Sequence, residues 1–320
     1  MTADPRRVLK CGAMSASPPA GEMAPPRRLS LVLHPRRDVS DAVATVRVWA
    51  DATGVALRAL HDDRLPESIA RCDEDEVAHN CDLVLSLGGD GTLLGALRSA
   101  APLGVPVLGV NLGRLGYLTE VDGAQLPEAL EALRTGAYAI EERFALIARW
   151  HEDGHPCEQV SYNDVVLSRV PGHGQAGLGL TVDGQLLVRY ASDGVIAATP
   201  AGSTGYSFAA GGPIVSPQTK AMIVTPDAPH GLFNRAVVLG DDERLGVEVL
   251  PTSAPVALEV DGQLMGELGP GSTSLEVAPN PWPALVVRLG SAGFAERARR
   301  KLGITDPAAL ADYDLAGHER

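Results

Sequence analysis

Lysine is scarce in this chain of 320 residues: only Lys10, Lys220 and Lys301 occur. The formal charge is −13, and the two facts together argue against a nucleic-acid binder, whose affinity for a phosphate backbone comes mainly from clustered Lys and Arg. An anionic ligand must then be held locally, by main-chain amides, a helix terminus, a metal ion or single arginines. Cysteine is sparse as well. Cys11, Cys72, Cys81 and Cys157 are far apart and show no CxxC pairing, so neither a structural zinc site nor a disulfide framework is indicated. No apolar run reaches the roughly 18 positions of a membrane span, and Met1 to Lys10 lead into no signal-like stretch. A cytoplasmic protein with no membrane partner is expected. A solenoid-type repeat is also lacking.

What is present is enough apolar material for a core: hydrophobic residues make up 45% of the chain, and its length suits two domains. Residues 1–28 carry Pro5, Pro18, Pro19, Pro25 and Pro26 among small and basic residues, which predicts a disordered extension. Residues 29–143 alternate strand and helix. Leu29 to Leu33 and Asp82 to Leu87 are apolar runs of strand type, and Val39, Val43, Val46 and Ala50 share one helical face. Pro106 to Val110 reads as a further buried strand, and Leu126 to Arg134 as a helix closed by Gly136. This half is expected to be a doubly wound, Rossmann-like α/β domain.

From Phe144 to about residue 290 the texture changes to short Val-, Leu- and Ile-rich strands, with Asp183-Gly184 and Asp261-Gly262 suited to tight hairpins. A mostly-β, sandwich-like second domain is expected, interrupted by one helix from Ser203 through Ala210. Residues 291–320 would form a C-terminal helix, Phe294 to Leu302, that returns to the first domain, followed by a tail.

The chemistry concentrates at Gly88-Gly89-Asp90-Gly91-Thr92, placed after a strand and before a helix, where open α/β sheets bind ligands. Glycines let main-chain N–H groups close on an anion. No Lys follows the last glycine, so this is not a Walker loop. Asp90 would repel phosphate unless it held a metal or took a proton from a substrate hydroxyl, and either role fits phosphoryl transfer. The competing reading is a plain Asp-Gly turn. Thr199 to Tyr206 joins a strand to a helix and offers amides, hydroxyls and an aromatic ring to a ligand, although an ordinary capped helix would read the same way.

Taken together, Gly88 to Thr92, Asn163-Asp164, Ser192-Asp193-Gly194, Thr199 to Tyr206 with Gly211-Gly212-Pro213, and Val260-Asp261-Gly262-Gln263 resemble the NAD kinase family in order and spacing. His34-Pro35, Asn111 to Tyr117 and Arg300-Lys301-Leu302 resemble it too, so the likeness runs from about Leu29 to Leu302. It implies transfer of a phosphoryl group from ATP or polyphosphate to the 2′-hydroxyl of the adenosine ribose of NAD, with a divalent metal, Mg²⁺ or Mn²⁺. The resemblance makes Asp90 the catalytic base and places Gly88, Gly89, Gly91 and Thr92 along the phosphates. Asn163 and Asp164 would hold the adenosine ribose, and Asp193 would address the nicotinamide end. Thr204, Gly205, Tyr206 and Ala209 would surround a base, Gln263 would be a further contact, and Tyr117 matches an aromatic lid residue. A homodimer or homotetramer through the β domain is likewise implied.

Three departures stand out. The family usually has Asn-Glu where this chain has Asn163-Asp164, Thr or Ser where Ala201 stands, and Ala where Gly205 stands. Lipid kinases of the diacylglycerol type share the glycine loop, but the Thr199 to Tyr206 segment and the lack of a basic amphipathic stretch disfavour them. Phosphofructokinases would need sugar-phosphate arginines that have no place here. A silent dinucleotide-binding regulator is the remaining rival, and the presence of Asp90 weighs against it.

Overall fold

The computed structural model describes residues 23–60, 62, 65–73, 76–113, 118–271, 275–290 and 294–302. The first half supplies strands β1 (Arg28–Leu33), β2 (Ala56–Leu60), β3 (Ala70–Cys72), β4 (Leu83–Gly88), β5 (Val107–Asn111), β6 (Val121–Asp122) and β7 (Ala139–Arg143). Its helices are α1 (Ser40–Thr53), α2 (Asp90–Ala100) and α3 (Leu126–Thr135).

Strands β3, β2, β1, β4 and β5 lie side by side and parallel. Every residue of β4 and β5 is buried, because helices cover both faces of the sheet. Side chains alternate across a strand. Leu83, Leu85 and Leu87 therefore pack with Val43 and Val46 of α1 and Leu130 and Leu133 of α3, while Val84 packs with Leu93, Leu94 and Leu97 of α2 on the opposite face. This is the doubly wound arrangement. Helices α1 and α3 each end at a glycine in the left-handed region, Gly54 at φ +73° and Gly136 at +72°.

The second half begins with β8 (Leu146–Glu152), β9 (His155–Ser161), β10 (Asp164–Arg169), β11 (Ala176–Val182), β12 (Gln185–Ser192) and β13 (Gly194–Ala198). A four-residue helix α4 (Tyr206–Ala209) leads to β14 (Met222–Asp227), β15 (Val237–Leu239), β16 (Leu245–Val249), β17 (Val256–Val260), β18 (Gln263–Leu268) and β19 (Leu275–Pro279). They form two six-stranded antiparallel sheets, β15-β14-β13-β10-β17-β18 and β12-β11-β16-β19-β8-β9. One apolar core joins the two, with Val165, Leu167, Val195 and Leu258 from the first sheet and Leu146, Leu178, Val247 and Leu275 from the second. The two-residue hairpins at Asp183-Gly184 and Asp261-Gly262 have φ values of +48°, +78°, +49° and +72°, the pattern of a turn whose twist matches its strands.

The chain then returns. Strand β20 (Ala284–Arg288) pairs parallel to β5 and antiparallel to β7, so it completes the first sheet although it lies within the stretch assigned by its texture to the β domain. A short buried apolar run carries no mark of which sheet it joins. Helix α5 (Phe294–Leu302) follows. At the other end, the expectation of disorder through Arg28 is corrected over its last residues. The Met23 N–H bonds the Gly136 carbonyl at 3.0 Å, the Ala24 carbonyl accepts from the Tyr138 hydroxyl at 2.9 Å, and the Arg27 and Arg28 N–H groups both donate to Asp82. Residues 1–22 lie outside the described residues. No helix among the described residues is long and apolar enough to cross a membrane.

Candidate active site

Strand β4 ends at Gly88 and α2 starts at Asp90, so the glycine loop sits where a carboxyl-terminal strand end meets a helix N-terminus. Gly88 lies on the α2 side of the sheet, and a Cβ there would run into the Thr92 side chain. Glycine is what lets the helix begin so close to the strand. The Leu112 N–H fixes the Gly88 carbonyl at 2.7 Å, and Gly89 enters α2 in extended conformation with no side-chain cap. As at any helix start, the first amides of α2 have no acceptor within the helix.

Asp90 Oδ1 accepts from the Leu118 N–H at 3.0 Å and the Thr119 N–H at 3.3 Å. Two main-chain donors therefore anchor one carboxyl oxygen and set the direction of the side chain. Leu118 also lines a cavity of about 50 Å³ with Ala201 and Thr204 of the β domain and Phe294 and Ala298 of α5. Asp90 thus stands one residue away from the seam between the two halves.

A second constellation forms within the β domain. The Asp261 carboxylate, with none of its side chain exposed, accepts from the Asn163 N–H and the Ser161 hydroxyl at 2.8 Å each and from the Tyr162 N–H at 3.1 Å. The Asp261 N–H in return donates to the Asp164 carbonyl at 2.9 Å. Asp261 folds the turn that displays Asn163 and Asp164. Asn163 Oδ1 is buried without a hydrogen-bond partner. Asp164 is 8% exposed, and burial, followed by the charges of Asp261 and Glu259, pushes its carboxyl up to about 7.

The segment from Thr199 leans on the same turn. The Thr199 hydroxyl donates to the Tyr162 carbonyl at 2.7 Å and accepts from the Gly202 N–H at 3.0 Å, while the Thr199 N–H bonds the Asn163 carbonyl at 2.8 Å. The helix expected from Ser203 through Ala210 is corrected: Gly202–Thr204 is a 3-10 turn, Gly205 breaks it, and α4 covers only Tyr206–Ala209. Gly205 lies beside Asp164, since a Cβ built on it would come 3.9 Å from Asp164 Oδ2. The Tyr206 hydroxyl donates to Asp227 Oδ2 at 3.0 Å; burial, then that bond and charge, push the phenol up to about 12. Asp193 is held by Arg169 Nε at 2.7 Å, and its N–H bonds the Asp227 carbonyl at 3.0 Å.

Comparison with known proteins gives a concordant answer. Residues 57–138 match the family model of the ATP-NAD kinase N-terminal domain, and residues 162–283 that of the C-terminal domain. The "NAD kinase 1" of Streptomyces avermitilis is 38% identical over 90% of this chain and 91% of its own length. This chain belongs to the NAD kinase family. The NAD kinase of Desulforamulus reducens is 42% identical over 71% of this chain and 79% of its own. Yeast NADH kinase, solved as a complex with NADH, shares the fold at a TM-score of 0.77 and 23% identity, over 91% of this chain and 93% of that one. An NAD kinase from Archaeoglobus fulgidus, solved with ATP, does so at 0.63 and 24%, over 86% and 97%.

Within this NAD kinase fold, the residues singled out from the sequence fall into linked groups. Gly88, Gly89, Asp90, Gly91 and Thr92 form the strand-to-helix loop. Asn163 and Asp164 gather around the Asp261 turn with Gly205 beside Asp164, Thr204 lines the cavity at Leu118, and Tyr206 joins Asp193 through Asp227. Ala209 is exposed at the end of α4, its N–H bonded to the Gly205 carbonyl at 3.2 Å. Gln263 is exposed, with its Oε1 accepting from Arg98 Nη1 at 3.0 Å. Tyr117 lies outside the described residues. Sequence reasoning passed over Arg98, Tyr162 and Asp227, which carry no local pattern and act only through partners far along the chain.

Proposed function

We propose that this chain phosphorylates the 2′-hydroxyl of the adenosine ribose of NAD, with ATP or polyphosphate as donor, to give NADP. The single observation that carries this reading is the anchoring of Asp90 by the Leu118 and Thr119 amides, at the mouth of a glycine loop and beside the seam. A carboxylate so oriented can take the hydroxyl proton as the oxygen attacks phosphorus, while the loop amides spread charge on the migrating phosphoryl group. Asn163 and Asp164 present an acceptor and a carboxyl to the ribose, and Tyr206, Thr204 and Ala209 offer a surface for a base. Membership in the NAD kinase family supports the same chemistry.

A divalent cation fits these residues in one way. Among the described residues no group of three or more His, Cys, Asp or Glu side chains can cage an ion. That suits Mg²⁺ or Mn²⁺ borne mainly by donor phosphates and waters with one or two carboxylates, and Asp90 is the carboxylate at the loop. When bound, the ion would neutralise phosphate charge that the scarce lysines cannot. Cytoplasmic placement and self-association through the β domain belong to the same reading, the second supported by the family resemblance.

The test is direct: purified protein is incubated with NAD, donor and Mg²⁺, and NADP is followed enzymatically. NADP formation with ATP, polyphosphate or both supports the reading and identifies the donor. Tight NAD binding without any NADP would instead point to the silent regulator.

A further inference from the structure

We infer that Arg98 is a positioning residue for the dinucleotide, a strut from α2 that sets the turn bearing Asn163 and Asp164. The inference rests on the NAD kinase reading. Arg98 Nη2 meets Asp261 Oδ2 at 3.2 Å and Nη1 meets Gln263 Oε1 at 3.0 Å, so one guanidinium grips both ends of the Asp261-Gly262-Gln263 hairpin. A rigid fork of this kind fixes orientation as well as distance.

The grip matters because of what Asp261 does. Its carboxylate is wholly inside, and a buried charge needs both a counter-charge and hydrogen bonds. Main-chain N–H groups of Tyr162 and Asn163 and the Ser161 hydroxyl supply the bonds; Arg98 supplies the counter-charge. The same end of α2 touches that turn a second time, since the Leu97 carbonyl accepts from the Tyr162 hydroxyl at 3.2 Å. At the other end of the helix stands Asp90, eight residues earlier and about 12 Å away by the rise of an α-helix. Helix α2 is therefore a spacer with the proposed base at one end and the ribose-facing turn braced on the other.

Arg98 also occupies the carbonyl end of the Gln263 amide, which leaves the NH₂ end to face outward as a donor. Gln263 thereby acts on a ligand only in the orientation that Arg98 imposes. Lysine at position 98 would bring the charge but a single ammonium, able to satisfy Asp261 without holding both ends of the hairpin.

The experiment compares wild type, Arg98→Met and Arg98→Lys by calorimetric NAD titration without donor and by steady-state kinetics. Arg98→Met is expected to raise the dissociation constant and KM for NAD about tenfold, with KM for ATP within about twofold, and Arg98→Lys to recover NAD binding to about threefold weaker than wild type. An unchanged NAD constant in Arg98→Met, or NAD and ATP constants that rise together, overturns the inference. Should Arg98→Met fail to fold, Arg98→Lys decides alone: a weakened NAD constant with an unchanged ATP constant supports the strut, and wild-type NAD binding overturns it. A wild-type protein that neither binds NAD nor forms NADP overturns the underlying reading as well, a result distinct from any effect of position 98.

Discussion

Asp164 and Asp261 close one turn between them, the Asp261 N–H donating to the Asp164 carbonyl at 2.9 Å, and this brings two carboxyls close together in the interior. The buried Asp164 carboxyl is raised from 3.8 to about 7 by desolvation and then by the charges of Asp261 and Glu259. Between those two values the folded chain keeps a proton that the unfolded chain releases, so stability declines as pH rises, and above about 7 the full cost is felt. That cost is on the order of 4 kcal/mol. Asp164→Asn is expected to flatten unfolding free energy between pH 5 and pH 8, because an amide has no proton to lose. Chemical denaturation across that range checks it, and parallel slopes in wild type and variant would refute it.

A second outcome concerns the backbone beneath Asn163. A Cβ on Gly202 would fall on the Asn163 carbonyl, which already accepts from the Thr199 N–H at 2.8 Å. Gly202→Ala is therefore expected to cost about 1–3 kcal/mol of stability and to weaken NAD binding more than donor binding. Thermal unfolding with parallel KM measurements tests this, and a variant with unaltered melting and NAD KM would show that the two backbones are not in close contact.

Much of this was legible in the chain, and the reasons are specific. Leu83 to Leu87 reads as a buried parallel strand because both its faces are covered, and Asp183-Gly184 and Asp261-Gly262 read as hairpins because few other residues tolerate their positive φ. Asp153-Gly154, with φ of +49° and +79°, makes the same kind of turn between β8 and β9 and went unmarked in the polar stretch around it. Ala284 to Arg288 carries no local sign of the sheet it joins, and Gly205 ends a turn where one helix from Ser203 through Ala210 was expected. Of the site, Asp90 was visible from its glycines. Arg98 was not, since its meaning lies 163 residues away at Asp261.

Tyr206 separates ring from hydroxyl. Its hydroxyl bonds Asp227 Oδ2 at 3.0 Å while the residue stays 42% exposed, so the bond is partly screened by water. Tyr206→Phe is expected to shift stability by less than about 1 kcal/mol and NAD KM by less than about threefold. Tyr206→Ala, which removes the flat surface offered to a base, is expected to raise NAD KM about tenfold or more. Similar kinetics for the two variants would exclude ring contact with the dinucleotide.

Metal dependence follows from the lack of cations in the motifs that would meet phosphate: Gly88 to Thr92, Asn163-Asp164 and Thr199 to Tyr206 contain neither Lys nor Arg. Excess chelator is expected to abolish NADP formation and added Mg²⁺ or Mn²⁺ to restore it. Turnover that persists in chelator would mean that protein cations neutralise the phosphates.

The proposed base is tested most directly by kcat for NADP formation in wild type and Asp90→Asn, with NAD binding measured alongside. The account predicts a fall in kcat of about 10²- to 10⁴-fold with NAD affinity retained, because the amide keeps acceptance from Leu118 and Thr119 but cannot take a proton. Equal turnover by the two proteins would contradict it.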